Sequence, residues 1–93
     1  MITPGFLGPV EDHIRDAQIA VRAVRFQINQ ARQHLAYGNC RAALGAIAGA
    51  VERYGAVVSF RRAAGLATVD ATTKALVLDL AKLKIEIVKR CVK

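Results

Sequence analysis

Tryptophan is absent from this chain, serine occurs once, and aromatic residues make up only 5% of it. The lone Ser59 has no nearby histidine or acid in the sequence to activate it as a nucleophile. With so few aromatics and no recognition-helix, RNA-binding or zinc-finger motif, sequence-specific reading of DNA is not expected. Long apolar runs are also missing. The longest, Ala42 to Val51, covers 10 residues before Glu52 and Arg53, where a membrane span needs about 20. The opening MITPGFLGPVEDH lacks a basic segment followed by an apolar run, so no signal peptide is expected. Only two cysteines occur, Cys40 and Cys91. Without C-x-x-C spacing they argue against zinc and against a disulfide framework, and are expected as buried free thiols in a reducing, cytoplasmic setting. No glycine-rich phosphate loop lies between a strand and a helix, and no cofactor is implied.

Carboxylates are the other scarce group. Asp and Glu number 7 against 14 Lys and Arg, for a net charge of +7. Nine of the fourteen cations are arginine, whose planar fork matches phosphate and carboxylate, so an anionic partner is expected. At 93 residues with 54% hydrophobic content, the chain is one small domain rather than a disordered tail. A chain of this size buries only roughly 60–65% of its unfolded surface, so self-association would add useful burial.

Periodicity predicts an all-α fold, a three-helix domain built on an antiparallel hairpin (10–65) with a third helix over 70–92. Pro4, Gly5, Gly8 and Pro9 punctuate an irregular N-terminal arm over 1–9, with Phe6 and Leu7 expected to dock on the body. Glu11, Asp12 and Asp16 are then placed in the first helical turn, against the positive end of the dipole. From Val10 the apolar positions run Ile14, Ala17, Val21, Val24, Ile28, Ala31 and Leu35, in alternating steps of four and three. Gly38 suits a left-handed helix end and Asn39 an N-cap. The second helix continues the spacing with Cys40, Leu44, Ile47, Val51, Tyr54 and Val58. Its Gly45 and Gly49 imply close approach of another helix, and its segment 56–62 is β-prone and ambiguous. Leu76, Leu80, Leu83, Ile87 and Cys91 stripe the third helix. Val77, Leu78, Ile85, Val88 and Val92 lie outside that stripe and are assigned to an oligomer interface, most simply a two-fold dimer. The hairpin QARQHLAYGNCRAALGAI resembles one helix-turn-helix unit of a tetratricopeptide repeat; it does not recur at a 34-residue period, so no function follows from it.

Few groups can converge for catalysis. His13 and His34 are roughly 32 Å apart along one helix and cannot share a metal; both are expected to face solvent. No catalytic or metal-binding set is assigned, and the chain is read as non-enzymatic. One feature stands out instead. Arg15, Gln18, Arg22, Arg25, Asn29 and Arg32 recur at helical spacing opposite the apolar stripe, a row of donors about 25 Å long. From Ala17 to Val51 the chain carries four arginines and no carboxylate, whereas a merely solvated face mixes both signs. Phe26, a turn beyond Arg22, offers a stacking surface. The expectation is a small inhibitor or adaptor that binds an acidic protein surface through this ladder. The alternative is a phosphate-ligand binder, taking nucleic acid or nucleotides held between subunits.

Overall fold

The computed structural model describes the backbone of residues 4–91 and the side chains of residues 11–91. All regular structure there is helical: α1 (Pro4–Ala36), α2 (Cys40–Ala63) and α3 (Ala71–Cys91). The stripe read in α1 is its buried face. Ala17, Val24, Ile28, Ala31 and Leu35 are buried, and Ile14 and Val21 are half-buried. Val10, Phe6, Leu7 and Val92 fall outside the described side chains.

Tyr37, Gly38 and Asn39 turn the chain back on itself. Gly38 takes φ 76°, a conformation that costs any residue with a Cβ about 1–2 kcal/mol. The Asn39 N–H donates to the His34 carbonyl at 2.8 Å, and its side-chain oxygen accepts from the Ala42 N–H at 3.4 Å, so it caps α2 as expected. Gly65, at φ 74°, closes α2 in the same manner. The ambiguous segment 56–62 is fully helical. There Val57 is completely buried, and its packing outweighs the β-propensity of the local sequence. Asp70 then starts α3 by a reciprocal cap: the Thr73 N–H donates to Asp70 Oδ1 at 2.8 Å, and the Asp70 N–H donates to Thr73 Oγ1 at 2.8 Å. On α3 the expected stripe holds, with Leu76, Leu80, Leu83 and Ile87 joining one continuous core with α1 and α2.

Three expectations are corrected. Residues 4–9 are not an irregular arm, because α1 begins at Pro4. Proline suits a first helical position, whose N–H has no partner in any case, and Pro9 one turn later removes a single backbone bond. The first turn consequently holds no acidic residue; Glu11, Asp12 and Asp16 lie beyond it. The inner face of α2 is also rotated by one position from the expected stripe. Ala43, Ala46, Ile47, Ala50 and Val57 are buried, whereas Leu44 and Val51 are about half exposed, at 48% and 56%. Three alanines on that face let the helices approach, since interaxial distance follows the size of the contacting side chains. The glycines contribute less. A Cβ on Gly49 would meet the Gln27 side chain at 3.3 Å, and one on Gly45 would meet nothing.

The cysteines are the third correction. Cys40 and Cys91 form a disulfide with their Cα atoms 5.8 Å apart, well inside the bonding range. α3 runs antiparallel to α2, so its last residue returns to the first residue of α2. The pairing arises from topology, which local cysteine spacing does not encode. The argument for a reducing setting disappears with it.

The molecule is elongated, 63 × 20 × 14 Å, with a radius of gyration of 16.0 Å against about 12 Å for a compact chain of this length. Every helix therefore keeps an outer side, and function must use outer surfaces and the grooves between them.

Candidate functional site

All six ladder residues are exposed on α1, along the flank of the face that buries Val24, Ile28 and Ala31. They are not equivalent. Arg15 pairs with Asp12, three residues earlier, so that end of the row is neutralised. Arg32 Nη1 reaches Asn29 Oδ1 at 3.5 Å, the outer limit of a hydrogen bond. Arg22 and Arg25 form no ion pair among the described residues.

The centre of the ladder is part of a groove of about 450 Å³. Gln18, Arg22 and Arg25 line it from α1, Arg61 from the last turn of α2, Leu66 from the following connection and Thr72 from the first turn of α3. Ile14, Ala17 and Val21 add an apolar share to this mainly polar lining. Arg15, Asn29 and Arg32 lie outside it. Arg61 is the most constrained of the three groove arginines. Its Nε donates to the Ala67 carbonyl at 2.7 Å, and its Nη2 pairs with Asp70 Oδ2 at 2.9 Å. A guanidinium has five N–H donors, and the two on Nη1 make no hydrogen bond among the described residues. The Thr73 N–H bond holds the Asp70 carboxyl below the usual 3.8; partial burial opposes it, while the Thr73 side chain and the Arg61 charge reinforce it. Asp70 is thus an ionised, committed partner that orients Arg61.

Sequence reading missed Arg61, Leu66 and Thr72. The signal was present in the hairpin itself: the Gly38 turn sets Phe60 against His13, with ring centroids 6.3 Å apart, so Arg61 has to lie beside the early half of the ladder. That stacking also corrects the expectation of two solvent-facing histidines. Both are half-buried, and His13 Nδ1 is shielded without a hydrogen-bond partner among the described residues. Phe26 is exposed at 60% but stands outside the groove.

The described residues assigned to an oligomer interface lie outside this groove. Val77, Leu78, Ile85 and Val88 are exposed at 44–58%. Val77 and Leu78 border a second groove of about 410 Å³ with Tyr54, Val69 and Lys74. Among the described residues no helix is long and apolar enough to cross a membrane, and no three or more His, Cys, Asp or Glu side chains gather into a possible metal site.

Compared with protein-family models, curated proteins and solved structures, the chain matches none.

Proposed function

We propose that this is a non-catalytic helical interaction protein, an inhibitor or adaptor, that binds an acidic protein surface through the arginine face of α1. The observation that carries this reading is the exposed row itself, in which Arg22 and Arg25 make no ion pair among the described residues. Guanidiniums without internal carboxylates are the groups that gain most from an external anion. On an elongated body they form a rigid strip, presented without reorganisation of the backbone.

The apolar outer face of α3 supports self-association, most simply as a two-fold dimer through Val77, Leu78, Ile85 and Val88. The disulfide bears on setting as well. Bonds of this kind persist in oxidising compartments, so the cytoplasmic setting expected from free thiols has no support left in the cysteines.

A second reading, a phosphate-bearing ligand, is favoured by the concavity around Arg22 and Arg25, since about 300–1,000 Å³ is the usual size of a small-ligand pocket. One experiment separates the two. The protein and its Arg22→Glu/Arg25→Glu variant are used for affinity capture and for a polynucleotide titration at two salt concentrations. Capture of a discrete acidic protein, lost in the variant and not displaced by polynucleotide, supports protein binding. For duplex nucleic acid bound through about four phosphates, the logarithm of affinity instead falls with a slope near about −3.6 against the logarithm of salt. A variant that keeps its partner refutes both.

A further inference from the structure

The groove at the centre of the ladder combines two chemistries that the ladder alone does not have. Its lining includes three guanidiniums, Arg22, Arg25 and Arg61, and the carboxylate that pairs with Arg61, Asp70, is itself engaged by Thr73. Apolar side chains supply the smaller part of the lining and serve here as its floor: Ala17 is buried, Ile14 and Val21 are half-buried, and Leu66 is 38% exposed. A simple oxyanion would use the guanidiniums and leave the floor wet. A purely apolar side chain would use the floor and leave Arg22 and Arg25 without a partner.

Resting on the protein-binding reading above, we propose that this groove is the anchoring subsite for a partner segment in which one apolar side chain is flanked by carboxylates. The apolar side chain lies on Ile14, Val21 and Leu66. One flanking carboxylate is taken by Arg22 and Arg25, which are one helical turn apart and so project side by side. The other meets the unused Nη1 edge of Arg61. That guanidinium is fixed in advance by the Ala67 carbonyl and Asp70, so little side-chain freedom is lost on binding. Arg32 and Asn29 lie outside the groove, and of the two only Arg32, through its charge, adds to the longer-range field.

The test uses two blocked, fluorescently labelled pentapeptides, one with leucine and one with serine between two pairs of glutamates. Each is titrated by anisotropy against the full chain with its disulfide intact. The leucine peptide is expected to bind about tenfold more tightly, the equivalent of partial burial of one leucine side chain. Arg25→Ala weakens both peptides about tenfold and Arg32→Ala, in the ladder but outside the groove, by clearly less, whereas Lys82→Ala on the exposed side of α3 changes either by less than about twofold. Leu66→Ser removes the leucine preference and leaves the salt-dependent part intact. Helical circular dichroism accompanies each variant, and Arg22→Ala replaces Arg25→Ala if the latter unfolds. Equal affinity for the two peptides, or an Arg32→Ala loss as large as that of Arg25→Ala, overturns the groove while leaving the ladder as a general acidic-surface binder. Inorganic pyrophosphate that displaces the leucine peptide and binds more tightly than it does overturns the proposal in favour of a phosphate site. If neither peptide binds and the Arg22→Glu/Arg25→Glu variant still captures its partner, the protein-binding role of the ladder itself fails.

Discussion

Arg61 and Asp70 are bonded across the connection between α2 and α3, with guanidinium nitrogen and carboxylate oxygen 2.9 Å apart. Each has a second task. Asp70 caps α3 through the Thr73 N–H, and Arg61 clamps the connection at the Ala67 carbonyl while lining the groove. The start of α3 and the shape of the candidate site therefore depend on the same carboxylate.

That dependence has a pH signature. The folded-state value of Asp70 is lowered from 3.8, first by the Thr73 backbone hydrogen bond. Its ionised form consequently stabilises the fold above that value, and the contribution is lost as the pH falls through the lowered folded value. Thermal melts from about pH 6 to about pH 2 should show a shallower acid-side decline in Asp70→Asn than in the parent chain. Parallel curves would remove Asp70 as an acid-sensitive element.

Reduction of Cys40–Cys91 should destabilise the fold substantially. The bond spans 51 residues of sequence, and loop-closure entropy for a ring of that size amounts to about 4 kcal/mol. Urea melts with and without reductant measure the difference, and coincident transitions would contradict it. The loss should be concentrated in α3, whose far end is fastened by this bond.

The rotated face of α2 makes opposite forecasts for adjacent residues. Ala43 has no exposure and Leu44 is about half exposed. Ala43→Leu should cost about 1–3 kcal/mol by overpacking the seam with α1, while Leu44→Ala should stay within about 0.5 kcal/mol of the parent. Ile28→Ala, in the same seam, should cost about 2–5 kcal/mol. Denaturant midpoints decide the matter, and a larger loss at Leu44 than at Ala43 would restore the stripe read from spacing alone.

Spacing served α1 and α3 well because their large apolar residues coincide with their buried faces: Val24, Ile28, Leu80 and Leu83 are all inside. In α2 the coincidence fails. Two heptad stripes differ there by one position, one marked by Leu44 and Val51, the other by Ala43 and Ala50. Size favours the first, whereas the short distance to α1 selects the second. That distance is set by both helices together, so no local window contains it. Arg61 and the disulfide were hidden for a related reason. Each becomes visible only after the chain is folded back: the first turn brings residue 61 beside α1, and the second brings residue 91 beside residue 40. The ladder on α1 was legible because it needs only one helix.

Self-association through the outer face of α3 predicts a change of mass on substitution. Val77 and Val88 are 45% and 44% exposed, so Val77→Glu/Val88→Glu should leave helicity intact while reducing the species seen by light scattering. A parent chain that is monomeric at high concentration would sink the dimer.

In covalent terms the chain is a lariat. Residues 40–91 form a closed ring, and α1 is its tail, attached only through Tyr37, Gly38 and Asn39. A protease cut between Ala64 and Asp70 would release nothing, because both pieces stay joined through sulfur. A cut at Gly38 would sever the covalent link to the arginine-bearing helix and leave it held by core packing alone. For the same reason α1 is the helix that two copies can exchange with every covalent bond intact, whereas trading α3 first requires the ring to be opened.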